Sequence, residues 1–279
     1  MSDEDGAPVL VVVAHGSRDA RSAATISALV DVTRATAPGL DVRLAFLDLN
    51  VPRLPEVLAA VGSGPTVVVP LLLGSAYHAR VDIPAAVDAA VGRLPHLQVS
   101  VADVLGPDPE LIGAARRRLA EQGCVVDDSG QPGDPGLGIV VAAAGSARAG
   151  ANDVVHRIAA GWPLAGAAFA TAADPDITAA IADLRRRGAR RIAVVPWFLA
   201  PGRLLDRVRD GARAADPDVV LAEPLGAEPA VAHVLLDRYA TARQCATPAA
   251  RPGSTPATQP RSTRAGLRHA SAAAVASRR

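Results

Sequence analysis

The chain is written twice, and this duplication limits its possible folds more than any other feature. Val9–Ser17 reads VLVVVAHGS and Gly138–Ser146 reads GIVVAAAGS, each an apolar run closed by a Gly-Ser turn. VVVPLLLGSAYHARVDIP (Val67–Pro84) is echoed by AVVPWFLAPGRLLDRV (Ala193–Val208), and LGPDPEL (Leu105–Leu111) returns as LGAEPAV (Leu225–Val231). A repeat unit of roughly 120 residues is about the commonest size of a complete domain, so two copies of one fold are expected. Only the first copy keeps its histidines. His15 is answered by Ala144, and the segment carrying His78 by the His-free APGRLLDR. The chemistry is therefore expected in the first half, around His15 and His78.

Within each half, short β-branched runs alternate with Ala-, Leu- and Arg-rich helical stretches. Strands are expected at Val9–Ala14, Asp41–Leu47, Thr66–Leu73 and Leu97–Asp103, with helices near Ala20–Ala37, Leu54–Val61, Pro84–Arg93 and Pro109–Gln122. The second half repeats the scheme, with strands near Gly138–Ala144, Ala165–Ala170, Arg191–Leu199 and Asp218–Ala222. Unbroken apolar strands fit a sheet covered on both faces, and the alternation implies βαβ units with parallel strands. The fold class expected is α/β: two tandem flavodoxin-like, chelatase-like domains with parallel sheets, each of strand order 2-1-3-4. The expected boundaries are a flexible N-terminus (1–7), a catalytic half (8–126), a linker (127–137), a degenerate half (138–243) and a disordered tail (244–279). The linker rests on the Gly-, Pro- and Asp-dense DDSGQPGDPG.

Composition narrows the function classes. All 29 basic residues other than histidine are arginine, which together with abundant Ala points to base-composition bias. With the formal net charge at +1, the six arginines of the acid-free tail leave the rest of the chain at −5. That balance gives no global case for nucleic-acid binding; the tail is expected to be a solvated extension. Two cysteines, Cys124 and Cys245, are too few for a disulfide framework or an iron–sulfur cluster. The acidic MSDEDGAP start lacks the regions of a signal peptide. No apolar stretch reaches the roughly 18 uncharged residues of a membrane span. A cytoplasmic protein with no membrane partner is expected, acting as a monomer.

In a doubly wound sheet, ligands bind beyond the carboxyl ends of the strands where the winding reverses. His15 lies just past the first strand and His78 a few residues past the third, and the 2-1-3-4 order makes those strands neighbours. His15-Gly16-Ser17-Arg18 sits on a strand-to-helix turn. There Gly16 lets the backbone approach a ligand, Ser17 caps a helix or donates to an anion, and Arg18 offers a bidentate carboxylate clamp. A packed histidine with an ordinary cap is the competing reading. Around His78, Tyr77 either lines the pocket or packs, and Arg80 either meets an acidic substrate or is solvated. Asp82, before Ile83-Pro84, reads as a helix-capping carboxylate. Asp48 and Asn50, after the second strand, either serve the two imidazoles as metal ligand or orienting group, or cap the next helix. His96, His156, His233 and His269 lack comparable settings. Two histidines and a carboxylate suit a borderline divalent metal. No HExxH, Cys-pair, Walker, GxGxxG or GxSxG motif appears, which disfavours a structural zinc site, a nucleotide enzyme and a serine hydrolase.

AHGSR, FLDLNVP and VVVPLLLGSAYHARVDIP together resemble the sirohydrochlorin chelatases of the CbiX/SirB type, class II chelatases, in their long two-half form. The resemblance covers about Pro8–Ala240. It implies ATP-independent insertion of Co2+ or Fe2+ into a polycarboxylate tetrapyrrole, in cobalamin or siroheme synthesis, with no cofactor beyond the substrate metal. The family's two metal-handling histidines fall on His15 and His78. The acidic position after the second strand, commonly Glu, is Asp48 here, giving His15, His78 and Asp48 as metal ligands. Gly16, Ser17, Arg18, Ser75, Tyr77 and Arg80 are the substrate-facing set; Ser75 stands where some relatives carry a third histidine. By the same resemblance the degenerate half closes the cleft and grips carboxylates through Arg203 or Arg207, with solvated helix-surface arginines as the competing reading. Two other readings compete: a tetrapyrrole or metal carrier using the same cleft, and a partner scaffold indifferent to loss of either histidine. The choice among cobalt, iron and nickel is open.

Overall fold

A computed structural model describes residues 7–74, 82–125, 127, 132–148 and 150–246. The first half runs β1 (Val9–Ala14), α1 (Ala20–Thr36), β2 (Val42–Phe46), α2 (Leu54–Val61), β3 (Gly64–Pro70), α3 (Ile83–Val91), β4 (Leu97–Val101) and α4 (Pro109–Ala120). The second runs β5 (Leu137–Ala143), α5 (Asp153–Ala159), β6 (Ala165–Phe169), α6 (Ile177–Arg186), β7 (Arg191–Pro196), α7 (Arg203–Ala215), β8 (Val220–Leu221) and α8 (Pro229–Ala246). The sheets are parallel, ordered β2-β1-β3-β4 and β6-β5-β7-β8, the order expected from the sequence. In the central pairings Val11 lies opposite Arg43 and Val68, and Val141 opposite Ala167 and Val195.

The apolar runs are buried on both faces because strand side chains alternate and each face is covered. Leu10 and Val12 enter one core layer while Val11 and Val13 enter another, and Ile139/Val141 against Val140/Ala142 repeat the division. One layer is common to both halves. It joins Leu10, Val12, Ile139 and Val141 with Trp162, Trp197, Leu235 and Tyr239.

The shared layer arises from an exchange of C-terminal helices. Helix α4, which closes the first half, packs against β7 of the second sheet, while α8 returns to pack on α1, β3 and β4. Equivalent arginines fasten each exchanged helix to the other. On α8, Arg238 donates to the Val104 and Leu105 carbonyls and to Asp108 at the start of α4, each at 3.0 Å. On α4, Arg118 donates to the Leu225 carbonyl at 3.1 Å, and its Nε lies 3.1 Å from Glu228 before α8. Arg118/Arg238, Leu105/Leu225 and Asp108/Glu228 are pairs at a constant offset of 120 positions. The described residues accordingly form one packed unit.

Two expectations are corrected. β3 begins at Gly64 and leaves the sheet after Pro70, so Leu71–Leu73 are not strand; β7 likewise ends at Pro196. A proline lacks the N–H that would continue the ladder. Asp82 stands at the start of α3 with helical dihedrals, and its side chain makes no capping hydrogen bond; accepting from the first turn requires an extended cap residue.

Candidate functional site

His15 follows β1 and is exposed on a turn that the β2–α2 loop holds from below. The Asp48 N–H donates to the His15 carbonyl at 2.9 Å, and the Ser17 N–H donates to Asn50 Oδ1 at 2.7 Å. Between them, Gly16 adopts φ +96°, and a Cβ there would lie 1.8 Å from the Asp48 carbonyl oxygen. Only glycine fits. Ser17 does not cap α1. Its Oγ accepts from the Asp19 N–H, and Asp19 is the cap, accepting from the Arg21 N–H.

Asp48 is exposed beside His15, and its carboxyl is engaged: Arg53 donates to Oδ1 at 2.8 Å. The Leu49 backbone N–H first, then the Arg53 guanidinium, hold it below the usual carboxylate range. Arg53 itself caps α2, its N–H donating to Glu56 Oε2 at 2.8 Å. Asp48 thus does not cap α2; it is an oriented anion next to the imidazole.

The turn opens into a cleft of ≈ 740 Å³ between the halves. Its apolar lining comes from Leu71–Leu73 of the first half and from Trp197–Pro201, Leu204 and Leu205 of the loop after β7 and the start of α7. Trp197 seals the junction by donating from Nε1 to the Leu73 carbonyl at 3.3 Å. The polar lining consists of His15, Ser17, Arg18, Asp19, Ser22, Asp48 and Arg203. A long apolar cavity with a few charged groups is the usual form of a site for a large, mostly apolar ligand.

The second half keeps the turn without the imidazole. Gly145 has φ +86°, a Cβ there would lie 2.0 Å from the Thr171 carbonyl, and Ser146 N–H donates to Asn152 Oδ1 at 3.0 Å. Ala144 is part of the lining of the same cleft. Of the two arginines expected to meet carboxylates, Arg203 lines the cleft, whereas Arg207 donates to the Ala170 carbonyl at 3.3 Å.

His15, Gly16, Ser17, Arg18 and Asp48 therefore share one cavity. His78, Ser75, Tyr77 and Arg80 lie outside the described residues. Among the described residues, no group of three metal-ligating side chains forms. Of the remaining described histidines, His156 packs edge-on to Phe169 at 5.5 Å and His233 lies 4.0 Å from Glu110. The sequence reading gave no role to Arg53 or Trp197. Arg53 was detectable as the basic neighbour of an acidic loop. Trp197 had no local signal, because its role depends on the other half.

The CbiX family model matches residues 9–122 and 138–242. A sirohydrochlorin ferrochelatase of Bacillus subtilis (strain 168) is 24% identical over 241 residues, spanning 82% of this chain and 89% of that protein. A sirohydrochlorin cobaltochelatase of Priestia megaterium is 24% identical over 212 residues, spanning 72% of this chain and 67% of that protein. Among solved structures, SirB from Bacillus subtilis with Fe3+ has a TM-score of 0.70 at 24% identity, covering 85% of this chain and 96% of that one. Its counterpart in complex with cobalt, from subspecies spizizenii, gives 0.68 at 22%, covering 85% and 96%. Matched in both of its halves, the chain belongs to the CbiX family.

Proposed function

We propose that this protein is a sirohydrochlorin chelatase, inserting Co2+ or Fe2+ into the polycarboxylate macrocycle without ATP. The observation that carries the reading is the inter-half cleft: much apolar lining, Arg18 and Arg203 in that lining, and the exposed His15 beside an ionised Asp48. A flat macrocycle with acidic side arms needs that combination, apolar surface for its ring and guanidinium groups for its carboxylates. Both walls come from one chain, which supports action as a monomer. Relatives named for ferrochelatase and for cobaltochelatase activity support metal insertion and leave both ions in view.

Insertion exchanges two pyrrole N–H protons for one divalent cation, so two protons leave as the metal sheds water. Neutral imidazole either accepts a proton near neutrality or holds a borderline cation. His15 is assigned to this work together with His78. Asp48 acts beside them: fixed by Arg53, it offers negative charge to the cation as ligand or as neighbour. Ser17, Arg18 and Arg203 grip carboxylates, and Ser75, Tyr77 and Arg80 complete the substrate-facing set. Gly16 brings the His15 turn close against the Asp48 loop, so that both line the cleft.

An anaerobic absorbance assay of the purified protein with metal-free sirohydrochlorin, run with Co2+ and with Fe2+, tests the reading. Metallation faster than the uncatalysed rate, lost in both His15→Ala and His78→Ala, is expected. A bound but unmetallated chlorin would identify a carrier instead. Activity is also expected to fall as the pH drops below about 6, where imidazole takes up a proton. Asp48, held below the usual carboxylate range, stays ionised across that window, so the loss reports the histidines.

A further inference from the structure

One rim of the cleft is crossed by an ion pair that joins the two halves. Arg21, in the first turn of α1, sets its guanidinium between two acids. Nε and Nη2 donate to Asp19 at 3.0 and 2.6 Å, while Nη2 and Nη1 reach Asp206 in the first turn of α7. Asp19 lines the cleft from one side and Gly202–Leu205, the residues just before Asp206, line it from the other. Arg18 and Arg203 stand in the same lining. Arg203 also contributes to holding the Asp19 carboxyl down, after the larger effect of Arg21.

This bridge does little to hold the molecule together. The Arg21 and Asp206 side chains are 52% and 37% exposed, a setting in which ion pairs contribute little to stability. The halves are joined elsewhere, by the shared core and the exchanged helices. The chemistry of the pair is more informative than its strength. A guanidinium fork pairs with any carboxylate of suitable approach, and Asp206 presents one directly after the cleft-lining residues Gly202–Leu205.

We infer that Arg21 is a further substrate-binding residue, held across the rim by Asp206 and transferred to a substrate carboxylate on binding. This rests on the reading that the cleft receives a polycarboxylate tetrapyrrole. Asp19 remains the fixed partner and keeps the guanidinium oriented, whereas Asp206 acts as a tethered competitor. The exchange replaces one exposed carboxylate by another, so little stands against it.

The two members of the pair then have opposite effects on binding, which a simple strap would not produce. Metal-free sirohydrochlorin is titrated into wild type, Arg21→Gln, Asp206→Asn and the double variant, following absorbance anaerobically, and Co2+ is then added to each. Arg21→Gln is expected to weaken binding about fivefold and Asp206→Asn to tighten it about threefold. The double variant is expected to match Arg21→Gln, since Asp206 acts only through Arg21. Weakening of equal size in both single variants would reduce the pair to a strap and overturn the inference, while leaving metal insertion intact. The expected pattern with no metallation in wild type would uphold the inference and overturn the chelatase reading. Both positions are exposed, and unchanged thermal unfolding of the variants confirms that folding is not the cause.

Discussion

Gly16 has room for a hydrogen and nothing larger, and the candidate site depends on that. In Gly16→Ala the new methyl meets the Asp48 carbonyl and the backbone is strained at φ +96°. A loss of about 2–4 kcal/mol in urea unfolding is expected, together with loss of activity. Its twin Gly145→Ala meets the Thr171 carbonyl in the same way and should lose comparable stability. Activity per folded molecule should survive there, because Ala144 carries no reactive group. Asn50 is the second support. Asn50→Ala deprives the part-buried Ser17 N–H of its acceptor, at a cost of about 1–2 kcal/mol, and Asn50→Asp should restore most of it. Asp48 offers a titration test. Its carboxyl is depressed, so the stability it contributes is present above the unfolded value of about 3.9 and is lost as pH falls through the lower folded value. Being exposed, it contributes little. Arg53→Gln should move its titration, followed by NMR, upward toward the ordinary carboxylate range.

At the scale of elements, the exchanged helices α4 and α8 carry the connection between halves, and their two arginine fasteners are not equally replaceable. Arg238 makes three hydrogen bonds, to the Val104 and Leu105 carbonyls and to Asp108. Arg118 shares Glu228 with Arg117, which donates at 2.9 Å. Arg238→Ala is therefore expected to cost about 2–3 kcal/mol and Arg118→Ala about 1–2, read from chemical denaturation at neutral pH. The reverse order would show that Glu228, whose side chain is only 10% exposed, depends on Arg118 more than on Arg117.

At the scale of the whole molecule, the shared layer means that neither sheet can lose its packing without exposing the other. Trp197 and Leu73, Tyr239 and the Pro8 carbonyl, and the α1–α8 packing all cross between the halves. Calorimetry of the full chain should show one transition for both halves, with calorimetric and van't Hoff enthalpies in agreement. Two resolved transitions would mean that each half is stable without the other's helix.

The duplicated pattern was enough to read the alternation of strand and helix, the 2-1-3-4 order and the placing of His15 and Asp48 at one sheet edge. Those features follow from local periodicity and from the chirality of βαβ units, both written along the chain. The ends of β3 and β7 were less legible, because an apolar run lining a cleft and one lining a core have the same composition: Leu71–Leu73 read as strand and turned out to be wall. Three things were decided only by the tertiary structure. The exchange of α4 and α8, the Trp197 contact with Leu73, and the Arg21 bridge to Asp206 each join residues more than 70 positions apart. Such contacts depend on how two complete sheets pack against one another, and no local pattern encodes that. The sequence alone determined which half keeps the HGS turn and its imidazole; the packing of the halves made a cleft for His15 to face.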